Sequence, residues 1–161
     1  MNANAFRYLY AYHFIENRNV WGYVSALSWE QFTRPIAYSA GSLRNQVIHL
    51  MTVEDAWFSG LRGAAGPDDI LSTEIDDRQA LRAYGDKVEQ SMRDYLAGLR
   101  DEMLFEKPFA EGEDKDLILW QVLLHVVNHG TDHRAQILRD LSDLGVKTAP
   151  QDYIFYVYDH P

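Results

Sequence analysis

Trp120-Gln-Val-Leu-Leu-His125-Val-Val-Asn-His129-Gly-Thr-Asp-His133-Arg134-Ala-Gln-Ile-Leu138 is the stretch on which the reading of this chain turns. It places three of the chain's six histidines at four-residue intervals. On a helix, residues four apart lie on one face with Cβ atoms roughly 5–6 Å from each other. Two imidazoles so placed can close on one metal ion, as helical His-x-x-x-His pairs do. All three cannot do so together, because His125 and His133 stand about 12 Å apart along the axis at ~1.5 Å rise per residue. A further ligand must come from elsewhere in the chain, and His49 is the candidate.

A helical wheel of this stretch centres its apolar arc on Leu119, Val122, Val126 and Ile137. His129 and His133 fall within or beside that arc, and His125 drifts to its polar edge. The wheel mildly prefers 129/133 over 125/129 as the inward pair. Asn128 and Asp132 flank the arc, where they could accept hydrogen bonds from the imidazoles and orient them. His13 and His160 have no partner at a metal-ligand spacing and read as surface or aromatic-cluster residues.

Working outward, four long helical patterns cover most of the chain. The first spans about Asn4 to Leu27, with Phe6, Leu9, Tyr10, Phe14, Val20, Trp21 and Val24 at helical spacing. Ser28 to Ala40, carrying Pro35, reads as a linker. Ser42 is the expected N-cap of a second helix bearing Leu43, Val47, Leu50, Val53, Glu54, Trp57 and Leu61, which stops at Gly63-Ala-Ala-Gly-Pro67. The third runs from about Asp76 to Leu99, with Asp76 and Asp77 favourably placed at its positive end. Between Arg100 and Asp116 the pattern fails, and Met103 to Glu111 reads as an extended arm, with a short hairpin as an option. The fourth helix runs from Asp116 to about Leu144 and is capped by Gly145. The aromatic tail Asp152 to Tyr158 should fold back as a short strand or a helical turn. The expectation is an all-α four-helix bundle forming one domain over 1–161, in which the longer second and third connections allow a non-standard winding.

Composition narrows the function classes. The sequence has 161 residues, 47% hydrophobic, which suits one packed domain. Its 24 acidic residues against 15 basic give a net charge of −9, which disfavours nucleic-acid and anionic-membrane partners. With no cysteine, a metal site must use His, Asp, Glu and water, and no thiol nucleophile is at hand. Neither a signal peptide nor a membrane-spanning run is evident, so a cytoplasmic protein is expected. No metalloprotease, carboxylate-bridged two-metal, phosphate-loop or nucleophile-elbow motif occurs.

The segment Gly41-Ser-Leu-Arg-Asn-Gln-Val-Ile-His49, followed by Glu54 and Trp57, and then His125-Val-Val-Asn-His129-Gly-Thr-Asp-His133-Arg134-Ala-Gln136-Ile137, resembles the DinB superfamily of four-helix-bundle proteins with its YfiT-like members. Tyr8 to Tyr12 with Asn17 at the start, and Asp152 to Phe155 at the end, fit the same pattern across nearly the whole chain. The resemblance implies a divalent metal held by His49, His129 and His133, with His125 outside the ligand set. Zinc comes first, with nickel, iron or manganese as other candidates. Ala135 departs from the family's usual glycine. The family's members imply two functions: a transferase using a low-molecular-weight thiol such as bacillithiol or mycothiol, or a non-catalytic stress- or damage-induced metal- or ligand-binding dimer. Three imidazoles would leave an open position where a metal could activate a thiol. Glu54 reads as a partner for Arg134 or another buried base. A homodimer is expected, built on Tyr8, Tyr12, Trp21, Tyr84 and Tyr95 of the first and third helices.

Overall fold

Each long segment carries one apolar stripe, and burying four such stripes together produces the architecture. The computed structural model describes residues 1–67 and 78–161. Its elements are α1 (Ala3–Ser25), α2 (Trp29–Thr33), α3 (Leu43–Leu61), α4 (Arg78–Ala97), a 3-10 turn (Glu102–Phe105), α5 (Leu119–Asp143) and α6 (Tyr153–Asp159). Among the described residues there is no strand. None of their helices is long and apolar enough to cross a membrane. The expected all-α bundle is therefore correct; Asp76 and Asp77, read as the acidic start of the third helix, lie outside the described residues.

The winding is non-standard. α1 packs on α5 and α4, and α3 packs on the same two helices. Helices α1 and α3 are thus diagonal, as are α4 and α5. The crossing connections are the first, which holds α2, and the third, which holds the 3-10 turn. The second connection, expected to be one of the crossings, joins the neighbours α3 and α4.

Local chemistry sets the ends. Ser42 accepts from the Asn45 N–H at 3.1 Å and caps α3 as expected. Gly63 ends that helix with φ +63°, and Gly145 follows α5 with φ +77°, the left-handed conformation that favours glycine. The Ile118 N–H at the start of α5 donates to the Gln121 side chain at 3.0 Å. The Ser28–Ala40 linker is not wholly irregular: a reciprocal Ser28/Gln31 capping box nucleates α2, and Phe32 is buried beneath it. The expected arm reduces to Lys107–Phe109, because Glu102–Phe105 winds into a 3-10 turn that buries Leu104. The tail is helical, and Tyr153 and Tyr156 pack against Tyr8, with ring centroids 6.4 and 5.1 Å away.

Two apolar clusters fill the bundle. One gathers Phe6, Tyr10, Phe14, Phe58, Met92, Leu119 and Val126; the other gathers Val20, Val24, Leu43, Ile48, Leu81, Ile137 and Leu141. Fully burying side chains of this size contributes roughly 1.5–3 kcal/mol each. In sequence along α1 and α5, a polar stretch separates the two clusters: His13 and Asn17 on one helix, Gly130 and Arg134 on the other. Residues at this level carry the candidate site.

Candidate metal centre

His49 projects from α3 and His129 and His133 from α5, and the packing of these helices brings the three rings together. One ligand-capable atom from each lies within 4.8 Å of the others. Ring centroids are 4.2 Å apart for His129–His133, 4.5 Å for His49–His133 and 5.2 Å for His49–His129. All three side chains are half-buried. The structure thus brings His49 together with His129 and His133. His125 is exposed one turn away, its ring 5.9 Å from that of His129 and edge-on to Trp57 at 5.2 Å.

The donor set fits a divalent ion. His129 Nε2 and His49 Nε2 are 3.3 Å apart. Two nitrogens bound tetrahedrally at ~2.0–2.1 Å from one zinc-sized ion would stand about 3.3–3.4 Å apart, so this edge already has the right length. Since all three atoms lie within 4.8 Å, the remaining closure is ~1.5 Å at most, within reach of side-chain rotation. Protonation also favours ligation. Burial, then the neighbouring His133, His49 and His125, hold His129 down at about 4, with Glu54 opposing weakly. Burial and His49 likewise lower His133, with Asp132 opposing. Near neutral pH, His129 and His133 offer lone pairs rather than protons.

Orientation comes from a residue the sequence did not reveal. His133 Nδ1 donates to Gln46 Oε1 at 2.9 Å, which leaves Nε2 as its ligand-capable nitrogen. The Gln46 amide, buried on α3, donates to Gln136 Oε1 at 2.8 Å, and Gln136 donates to Asp132 at 3.0 Å. Asp132 therefore supports the site only through two amides, and Asn128 is exposed. The signal for Gln46 was its place one turn before His49, but spacing alone does not distinguish it from Asn45 or Arg44. His129 Nδ1 is buried without a partner.

A second polar centre is built on His13. Of the two readings the sequence left for this residue, surface or aromatic cluster, the second holds: it is fully buried between Tyr10 and Phe14, and its ring also bridges two charges. Arg134 Nη1 donates to His13 Nδ1 at 3.0 Å. A guanidinium has no acceptor, so Nδ1 carries no proton and His13 is neutral, with its Nε2–H donating to Glu54 Oε1 at 2.7 Å. Burial lowers His13, and the opposing pull of Glu54 does not restore it. Burial pushes Glu54 up, but His13, the 2.9 Å hydrogen bond from Asn17 and the Arg134 charge together hold it below the ordinary carboxylate range. Glu54 is thus ionised, and the buried base expected as its partner is His13. Arg134 also donates to Asn17 at 2.8 Å, Gln151 at 3.0 Å and Thr131 at 3.1 Å.

This centre explains Gly130. A Cβ on that residue would lie 2.3 Å from His13 Cε1, so only glycine lets α5 pass the ring. Ala135 is exposed, and its departure from glycine costs no packing. His160 stays at the surface, with Nδ1 3.0 Å from the Tyr156 carbonyl.

The chain is similar to known proteins along nearly its whole length. The family model described as "DinB family" matches residues 1–160. A Bacillus subtilis (strain 168) protein named "Protein DinB" is 25% identical over 167 aligned residues, covering 98% of this chain and 96% of that protein.

Proposed function

This chain belongs to the DinB family, and from that premise we propose that it is a divalent-metal-dependent transferase, with His49, His129 and His133 as ligands and zinc as the foremost ion. The observation that carries the reading is the close grouping of three half-buried imidazoles from two helices, with no carboxylate among them. Three neutral ligands leave the charge of a divalent ion uncompensated and a coordination position open, the arrangement of catalytic rather than structural sites. When bound, the ion would supply the Lewis acidity that keeps an incoming thiol ionised near neutral pH.

The chain's own residues prepare the position. Burial keeps His129 unprotonated, and Gln46 fixes the ring of His133. Gly130 and the His13 layer hold α5 close to α1. The reaction class is S-transfer: a low-molecular-weight thiol gives its proton to water, its sulfur bonds to an electrophilic carbon, and the leaving group departs with its electron pair. The −9 charge supports a small-molecule substrate over nucleic acid. Cytoplasmic location remains part of the proposal.

A homodimer does too, but on a different surface. Tyr12 is buried, Tyr8 packs on α6, and Trp21, Tyr84 and Tyr95 pack against the core clusters. Tyr153, Ile154, Phe155 and Tyr158 of α6 are the large apolar side chains left exposed near them. Sedimentation at micromolar concentration tests pairing. Incubating metal-loaded protein with a small thiol and an alkyl halide tests the activity. Metal-dependent thioether formation supports the transferase; bound metal without turnover supports a non-catalytic binding protein.

A further inference from the structure

One side of the histidine cluster continues into a corner of aromatic rings that the metal reading does not use. His125 lies next to His129, with ring centroids 5.9 Å apart. Trp57 stands 5.2 Å beyond it at an interplanar angle of 68°, and Phe109 6.0 Å from Trp57 at 49°. His125 is exposed, and Trp57 and Phe109 are half-buried, so the corner is open to solvent as well as adjacent to the cluster.

The fold presents Phe109 here by specific means. It sits on the short arm between the 3-10 turn and α5. The Leu119 N–H closes that arm on the Glu106 carbonyl at 2.9 Å, and Lys107 pairs with Asp116 at 2.7 Å. Beneath it α3 carries Gly60, where a Cβ would stand 3.2 Å from Phe109 Cε1. A side chain at residue 60 would crowd the ring that now rests against Trp57.

We propose that Trp57, Phe109 and His125 form the substrate-recognition corner of the metal centre, and that it takes the aromatic group of a small thiol or electrophile whose reacting atom sits at the three histidines. This rests on the transferase reading of those histidines. Rings meeting at steep angles offer both faces and edges, which suits edge-to-face packing of another ring. The adjacency of His125 to His129 places such a ring beside the histidine cluster. An aliphatic chain of similar size gains contact area from the corner but no such directional contact.

The test uses binding rather than turnover. The full chain is loaded with cobalt(II), and benzyl mercaptan and 1-propanethiol are titrated against the thiolate-to-cobalt charge-transfer band. Wild type should bind benzyl mercaptan about tenfold more tightly relative to 1-propanethiol than do Trp57→Leu and Phe109→Ala. The two thiols differ in acidity, and the comparison of wild type with variants cancels that difference. Both variants should load cobalt as wild type does, and Phe109→Ala provides the result should Trp57→Leu fold poorly. If wild type loads no cobalt, the metal reading falls and the corner with it. If it loads cobalt but shows the same thiol ratio as the variants, the corner alone is overturned.

Discussion

Two histidine centres share α3 and α5, and they differ in whether their polar atoms find partners. Around His13 the accounting closes. Both ring nitrogens are bonded, Arg134 reaches His13, Asn17, Gln151 and Thr131, and the Glu54 carboxylate faces two donors. Around His129 it does not. Nδ1 is buried without a partner, and Nε2 faces another imidazole nitrogen at 3.3 Å. Burial and the other imidazoles push its protonation down to about 4. A satisfied buried network rigidifies a fold. Imidazole nitrogens grouped within 4.8 Å of one another instead suit a ligand site. Histidine count and burial do not separate the two centres; partner accounting does.

That contrast sets the expected effects. The largest belongs to the closed network. Arg134→Met would leave Glu54 ionised and buried without its counter-charge, a loss of about 3–5 kcal/mol in urea unfolding. A change under ~1 kcal/mol would mean the layer is not the rigid centre described. His13→Ala should also destabilise the fold, by about 1–3 kcal/mol per donor or acceptor left unpaired.

The open cluster should respond in the opposite sense. His49→Ala, His129→Ala and His133→Ala should each abolish stoichiometric metal retention while costing little stability in the metal-free protein. Next in size is Gly130→Ala, whose Cβ cannot sit 2.3 Å from His13 Cε1 without displacing the ring or the helix. The overpacking should cost about 1–3 kcal/mol and weaken metal binding as well. Gln46→Ala should leave folding nearly intact and reduce metal affinity roughly 10–100-fold through the freed His133 ring.

The pH response is smaller and has a definite sign. His129 takes up a proton near 6.5 in the unfolded chain but only near 4 in the folded one. Between those values the unfolded state binds more protons, so the stability of metal-free protein should decline as pH falls from about 6.5 towards 4. Glu54, held below 4.5, adds stability that is present above that value and lost as pH falls through its folded pKa. Metal retention should weaken over the acidic range as well, because protons compete for the same nitrogens. A decline in unfolding midpoint from pH 7 to 4 that is shallower in His129→Gln than in wild type would tie part of the effect to this residue, the remainder coming from His13 and His133, which folding lowers as well.

The same contrast explains what could be read from the chain beforehand. The 129/133 pair is a local pattern, four residues apart on an amphipathic helix, and helix caps such as Ser42 and Gly145 are local as well. His49 required the family resemblance. The His13 layer joins residues 13, 17, 54, 134 and 151, whose proximity arises only when diagonal helices meet, and no periodicity marks it. In sequence Gly130 is only a poor helix former, because the ring it accommodates belongs to another helix. The crossing order was hidden for a related reason, since connection length does not say which helices become neighbours.

We propose that the open cluster, and not the buried layer or His125, holds the metal. The most direct test is a zinc titration of metal-free protein against a competing chelator, run in parallel on wild type, His133→Ala and His125→Ala. One tight equivalent is expected in wild type, none in His133→Ala, and one in His125→Ala with nearly unchanged affinity. Tight binding that survives His133→Ala and is lost in His125→Ala would contradict this assignment.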